Sequence, residues 1–536
     1  MSAADTAVAP PQERAMQEAR IAANFAAFER YLKRAQDYLA QGELDAVAVH
    51  CAVASHIPVQ NHAGIFWSPR AEKVLSEIGK RLPFGPAPVR VKAPRRILQV
   101  GTQMAAVGGL TKMLGLWVKA DSAREHSLVL TQQHGPVPES VQETFGGRIT
   151  YLNRRPGGFV AWAQQLRTLA HGYDLVILHT HCEDVIPLIA FADPSKHPPV
   201  LVLNHADHLF WYGPSISHLT ISLRDAALDL GVARRGLSPE RSILMPTLSE
   251  AVTRTRSRGD AKRELGIDPA ATLMVSVARK LKYKTMHGVT FADIHAPLLE
   301  KNPEAMLLVV GADDPEDWAP VKARFGDRIR SKPELPSPNI YFEAADIYVD
   351  SYPFVSSTSL MEAAGYGLPS VTIFTYPQET RIFGINHVAL VGNTLQAASF
   401  EEYRALLSEL IADPTKRERL GEQARAAVAK EHNTPGWLCW MEAVYARAGE
   451  LAPLDNRAML ERTEAPQFGE PDWRHEDIFG GNWPIEQFLK SYMGVLPLRQ
   501  RIAHWRELSA VGAFSSAGNA LSHTLLPEWL KRAMKG

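Results

Sequence analysis

Residues 345–374 read ADIYVDSYPFVSSTSLMEAAGYGLPSVTIF, and the order of residue types in this stretch decides how the rest of the chain is parsed. A β-branched and aromatic run ends at Pro353, small hydroxyl residues cross a turn, a helix-forming segment starts near Leu360, and a second apolar run follows Pro369. Strand, turn, helix and strand within about 30 residues is the repeating unit of a parallel sheet. The alternation continues outward. LMVSVAR (from Thr272), AMLLVVG, NIYF and ALVG belong to the same series, and an earlier series runs from Ile97 through ILQVG, SLVLTQ, ITYLN, LVILHTH, PVLVLNH, HLTISL and ILMP. Two consecutive doubly wound α/β domains are predicted, over 97–250 and 268–430, divided near Ser249 to Asp268. Ligands of such sheets bind outside the carboxyl ends of the strands, so the site is expected in a cleft between the two domains.

The flanks read differently. Between Glu13 and Ala40 the residues Ile21, Phe25, Phe28, Leu32, Ala35 and Leu39 are spaced alternately by four and three, one buried helix stripe. Gly42 ends that helix, and a second carries Leu44, Val47, Cys51 and Ala54 on one face with Pro58 beyond it. This helical hairpin, within a region spanning 1–90, resembles half of a tetratricopeptide repeat; a lone copy cannot bury its own core and must lean on something else. The hairpin at 13–58 is expected to be dispensable for the chemistry, whose motifs all lie beyond Ile97, but needed for solubility or for the choice of substrate. The Pro-rich, basic stretch Lys80 to Arg96 reads as a linker. Residues 431–536 form a helical extension, irregular from Leu451 to Gly481, that ends in an amphipathic segment, Trp529 to Lys535.

Composition narrows the classes. The 536 residues are 46% hydrophobic and 22% charged, ordinary globular usage. Lys plus Arg equals Asp plus Glu at 58 each, which argues against a nucleic-acid partner. Cys51, Cys182 and Cys439 form neither a metal-ligand spacing nor a disulfide framework, as suits a reducing cytoplasm. The start MSAADTAVAPPQERA lacks the cationic and apolar parts of a secretory leader. No apolar run is long enough to span a bilayer, so membrane contact is expected to be peripheral at most.

Three clusters carry chemistry. Ser356, Ser357, Thr358 and Ser359 lie at a helix start, where free N–H groups and hydroxyls suit a diphosphate. Glu362 then falls in the first turn and could accept from ribose hydroxyls; the alternative is a capping box from Ser359 to Glu362. Arg279 and Lys284, after the strand LMVSV, would meet the charge that develops on a leaving nucleoside diphosphate; the alternative is a solvated basic loop. His205, Asp207 and His208 follow the strand PVLVL, with His205 placed for acid–base work, Asp207 or His208 to orient it, and Phe210, Trp211 and Tyr212 to stack on an acceptor. Their alternative is a packed loop. His179, His181, Cys182 and Glu183 tempt a metal reading that strand alternation argues against. Gly108 and Gly109 mark a strand-to-helix turn.

On these motifs, residues 97 to about 450 resemble the GT-B superfamily of glycosyltransferases. Arg279 with Lys284 is similar to the diphosphate-gripping pair of glycosyltransferase family four, Gly108-Gly109-Leu110 to its glycine-rich loop, and LVILHTH to its Val-x-His-x-His strand. The run SYPFVSSTSLMEAAGYGLPSVTIF and the segment HAPLLEKNPEAMLLVVG resemble the protein O-linked N-acetylglucosamine transferases. The resemblance implies a nucleotide-sugar donor, UDP-linked, and a protein, glycan or lipid acceptor, with no metal and no other cofactor. It also implies an active-site histidine at His205. The hairpin is similar to that of protein-modifying members, whereas the basic linker and the Trp529 to Lys535 end would suit the inner membrane surface. Two positions depart from family four. Phe354 stands where a second glutamate meets the sugar, and Thr247 to Glu250 replace its Asn-Gly-Val-Asp. A sugar-nucleotide epimerase and a non-catalytic nucleotide-sugar-binding module are the rival readings.

Overall fold

The computed structural model describes residues 11–106, 108–312 and 315–534. The chain folds into two compact units. The first comprises Arg14–Met245 and resumes at Trp440, and the second contains Pro246–Cys439.

The first unit is built on strands β1 (Arg96–Gly101), β2 (Glu125–Leu130), β3 (Ile149–Tyr151), β4 (Leu175–His179), β5 (Val200–Asn204), β6 (Leu219–Ser222) and β7 (Ser242–Leu244). They lie in the order β3-β2-β1-β4-β5-β6-β7, and neighbouring strands run parallel. The second unit repeats the plan with β8 (Thr272–Val277), β9 (Ala305–Val310), β10 (Ile329–Lys332), β11 (Ile347–Val349), β12 (Ser370–Ile373) and β13 (Leu395–Ala397) in the order β10-β9-β8-β11-β12-β13. Central strands such as β4 and β8 are buried along their whole length, which is why they read as continuous apolar runs. In each sheet the strand order reverses at one point, between β1 and β4 and between β8 and β11. Loops leaving those two strands diverge, and the crevice they open is where such sheets take ligands.

The hairpin helices are Pro11–Gln41 and Leu44–Gln60, the second running past Pro58. They are not a separable module. Phe28, Val47, Val53 and Ile57 share one core with Val176 and Leu178 of β4, Val202 of β5, and Leu489, Met493 and Leu508 from the far end of the chain. Each such side chain contributes about 1.5–3 kcal/mol by burial, so removing residues 13–58 would strip part of the first unit's core, which agrees with the expectation that the hairpin is needed for solubility. Trp529 packs against the same core, which docks the helix Glu528–Met534 on the protein; Lys535 and the first ten residues lie outside the described residues. The linker has neither helix nor strand between Arg81 and Arg95, and Arg167 fixes its start by donating to the carbonyls of Gly79 (2.8 Å) and Leu82 (3.0 Å).

Several expectations are corrected. NIYF is not a strand; it lies in the helix Asn339–Ala344, which sends Tyr341, Phe342 and Ala344 into the core, and a run of four apolar residues is too short to reveal its period. ALVG is a turn, with Ala389 at φ +66° and Gly392 at φ +81°. β10 and β13 escaped notice because they are edge strands with polar, half-exposed sequences, IRSK and LQA. The segment from Pro246 to Asp268 belongs to the second unit: Trp437 Nε1 donates to the Pro246 carbonyl (2.7 Å), and Ala261 and Ile267 enter that unit's core. The C-terminal extension rejoins the first unit, where the Tyr445 hydroxyl bridges Trp117 Nε1 and Asp121, each at 2.9 Å.

Candidate functional site

In the second unit the reversal point brings two loops together. One leaves β8 and carries Arg279, Lys282 and Lys284; the other leaves β11 and carries Asp350 to Ser356. Gly311, at the end of β9 with φ +104°, lets the first loop in, since a Cβ there would stand 1.7 Å from the Ala278 carbonyl oxygen. The loops are tied by Lys282, whose Nζ donates to the Val355 carbonyl (2.9 Å) and lies 4.8 Å from the centre of the Phe354 ring. Phe354 therefore has a defined place, as the apolar floor under an ammonium group.

Asp350 organises the turn. Its buried carboxylate accepts from the N–H groups of Ser351 (2.9 Å) and Ser356 (3.0 Å) and from the Thr372 hydroxyl (3.2 Å) of β12. Burial pushes the carboxyl up to about 6, against the pull of these donors and of the Lys282 charge. The helix that follows is Ser357–Gly365, so it starts three residues before Leu360 and its N-cap is Ser356, whose hydroxyl donates to Ser359 Oγ (3.1 Å) and makes no capping bond. The leading N–H groups are thus not closed off by their own N-cap side chain. Thr358 is exposed and Ser357 half-exposed, whereas Ser359 is buried. Glu362, half-exposed, stands in the second turn and not the first. With Ser359 inside the helix, the capping box between these two residues does not exist. Arg279 is exposed and Lys284 half-exposed beside this turn's partner loop.

The first unit has the counterpart arrangement. Gly108, at φ +154° with open space where a Cβ would be, caps the helix Gly109–Ala120 after β1. Past β4, the buried Asp184 accepts from the hydroxyl of Thr102 (2.7 Å) beyond β1 and from that of Thr131 beyond β2. The Thr102 oxygen in turn accepts the His181 N–H (2.8 Å). One carboxylate so fastens three strand ends. On this frame His181 Nδ1 lies 3.5 Å from Glu183 Oε1. Glu183 and its hydrogen bond raise the imidazole although burial opposes this, and His181 in turn helps hold Glu183 down at about 2 against its own burial.

His205 is the next group along. Its Nε2 lies 2.9 Å from the Thr180 carbonyl oxygen, and since a carbonyl only accepts, Nε2 carries the proton and Nδ1 keeps its lone pair. Burial lowers its pKa, so the ring is neutral at pH 7 and can take a proton. The remaining residues of this cluster do something else. Asp207 is gripped by Arg224, through Nε and a terminal nitrogen each at 2.6 Å, and the Arg224 charge overcomes burial to hold its carboxyl far below the usual range. It faces Arg224 and His208 (3.3 Å) and does not orient His205. His208 stacks on Phe479 with ring centres 4.9 Å apart. Phe210, Trp211 and Tyr212 are buried: Phe210 meets Phe28 of the hairpin, and the Tyr212 hydroxyl donates to the Cys51 carbonyl (3.1 Å). They anchor the hairpin and are not an acceptor platform. His179 is fully buried, 2.7 Å from Gln99 Oε1, and burial drops it to about 3.

Sequence reasoning passed over Lys282, Asp350, Asp184 and Arg224. Asp350 had a signal, an acid at the end of a buried strand beside a turn of serines; Arg224 had none, since nothing in its spacing points to Asp207.

HepE of Anabaena, solved in complex with UDP, superposes on this chain with a TM-score of 0.50 at 14% identity, over 65% of this chain and 99% of its own. The chain has the GT-B fold. A glycosyltransferase from Rickettsia africae gives a TM-score of 0.49 at 11% identity, covering 67% of this chain and 99% of its own. The O-GlcNAc transferase of Thermobaculum terrenum gives 0.48 at 14%, over 82% and 83%. No protein-family model and no curated protein matches the sequence.

Proposed function

We propose that the protein is a glycosyltransferase that moves a sugar from a UDP-linked donor to an acceptor hydroxyl. The observation that carries this reading is the turn after β11, held by Asp350 and Lys282, from which a helix opens without a cap from its own N-cap side chain beside Arg279 and Lys284. The donor diphosphate binds against the first N–H groups of that helix and the hydroxyls of Ser357 and Thr358, with Ser356 and Ser359 behind them. Arg279 and Lys284 balance the charge it gains as its bond to the sugar breaks, the task a divalent cation performs elsewhere, so no metal enters the reading. Glu362 accepts from the ribose hydroxyls. The acceptor oxygen attacks the sugar's anomeric carbon, the carbon–oxygen bond to the diphosphate breaks, and the acceptor proton passes to Nδ1 of His205. The UDP bound to HepE, a protein of the same fold, supports the choice of base.

Calorimetry with UDP and with uridine tests the diphosphate grip. Lys284→Ala should weaken UDP binding about tenfold or more, the value of one charge-assisted contact of about 1.5–3 kcal/mol, and leave uridine binding unchanged. Equal losses for the two ligands would assign Lys284 to general structure. Glu362→Gln should lower UDP affinity while the melting temperature holds, because a carboxamide has one acceptor oxygen and no charge to offer two hydroxyls. A lower melting temperature at unchanged affinity would remove Glu362 from the site.

A further inference from the structure

Trp483 of the first unit is a large ring left open to solvent and yet held in place. It is 56% exposed, while its backbone is clamped by Asn61, the residue that caps the end of the helix Leu44–Gln60. The Trp483 N–H donates to Asn61 Oδ1 and Asn61 Nδ2 donates to the Trp483 carbonyl, each at 3.0 Å. Gly481 completes the seat, since a Cβ there would stand 2.8 Å from Cδ1 and 3.0 Å from Nε1 of the indole. An aromatic face that is already ordered loses little freedom when a ligand lies on it.

Its neighbours put the ring beside the carboxyl ends of β4 and β5. Phe479, four residues earlier, stacks on His208 of the His205 loop with ring centres 4.9 Å apart. His56, on the helix that ends at Asn61, stacks on Phe488 at 4.6 Å and lies 2.9 Å from the Tyr492 hydroxyl. Glu183 and His181, just past β4, act on the charge of that imidazole. Four residues of chain span at most about 14 Å, the length of a short oligosaccharide.

The groups around the ring select the ligand. A sugar presents a flat C–H face, which stacks on an indole, and a rim of hydroxyls, which amides and carboxylates take up. Asn482 and Gln487, both exposed, and the half-exposed Glu486 flank Trp483, and residues 475–489 contain no Lys or Arg. A phosphate or an anionic bilayer would meet no cation on this stretch, and a wholly apolar partner would bury the amides without partners. We propose that Trp483 is the stacking platform for the acceptor and that the acceptor is a glycan, with its reacting end at His205 and a sugar ring farther back on the indole. This rests on the transferase reading above, and it gives the C-terminal extension the task that Phe210, Trp211 and Tyr212, being buried, do not perform.

The test titrates the full-length protein, labelled with nitrogen-15 in its indoles and without donor, with maltotetraose, cellotetraose and chitotetraose. The Trp483 signal is the one that Trp483→Phe removes, and it should shift with at least one of the three. Affinity for that oligosaccharide should fall about tenfold in Trp483→Ala, with the melting temperature unchanged because the side chain is exposed. Gly481→Ala, which keeps the indole but displaces it, should lower affinity as well, and Trp483→Phe should lower it less than Trp483→Ala. UDP affinity, measured separately, should not change in Trp483→Ala. A shift of Trp483 in a protein that fails to bind UDP would remove the transferase reading and leave a glycan-binding surface. No shift with any of the three oligosaccharides, or undiminished affinity in Trp483→Ala, would overturn the platform. So would a dimer in light scattering that Trp483→Ala splits, which would give the ring to a second copy.

Discussion

Asp207→Ala is expected to lower the free energy of unfolding by about 3–5 kcal/mol, the cost of leaving a buried charge without its partner. Both carboxylate oxygens of Asp207 are taken by Arg224 at 2.6 Å, and both residues are buried, so truncation strands a guanidinium that water cannot reach. Arg235 adds a bond to the Asp207 carbonyl (2.7 Å), which ties the same loop through its backbone and is not lost with the side chain. Denaturant unfolding reads the loss, and replacing Asp207 and Arg224 together by leucine should cost less than Asp207→Ala alone. The effect should be full at neutral pH. A carboxyl held far below its unfolded value stabilises fully at every pH above that value, and the contribution fades as the pH falls below it and is gone once the pH has passed through the depressed one. Normal stability with lost turnover would return Asp207 to the catalytic role that the sequence suggested.

His205→Ala should slow sugar transfer by about 10²–10⁴-fold, the usual worth of one positioned acid–base group, and leave UDP affinity nearly unchanged. The geometry sets the expectation. With Nε2–H spent on the Thr180 carbonyl, Nδ1 is the nitrogen with a lone pair, and burial keeps the ring neutral, so it can accept the proton that the acceptor hydroxyl loses. His208→Ala should do less, because that ring stacks on Phe479 and leans on Asp207. Turnover is read as UDP release with acceptor or, in its absence, as donor hydrolysis. Near-normal turnover in the His205 variant would make the loop a packing element.

Most of the architecture could be read from residue order because parallel strands buried on both faces leave continuous apolar runs, as in LVILH of β4 and TLMVSV of β8. What escaped was what the apolar pattern does not encode. IRSK and LQA are strands by pairing at an edge, not by composition. The site was legible in part. Serines before a helix and cations after a strand are local signals, and the structure sets them on neighbouring loops. Asp207 and the aromatic block 210–212 looked equally functional in the sequence, because partners such as Arg224 and Phe28 lie 17 and some 180 residues away, beyond the reach of any spacing rule. Glu362 shifted its turn because the helix begins at Ser357, a boundary that propensity places only loosely.

The way the first unit leaves and resumes the chain orders its birth on the ribosome. The sheet and core of the second unit run in one uninterrupted stretch from Ala261 to Val428. The first unit's core waits for Leu489, Met493 and Leu508, which emerge after the whole of its neighbour has been translated. At about 5–20 residues per second the seven-stranded half stands incomplete for roughly 10–50 s after its last strand is made. The half that begins earlier in the message is therefore the later one to close, and during that interval its core stands open where the last helices of the chain will cover it, within a chaperone's grasp or a neighbouring chain's reach.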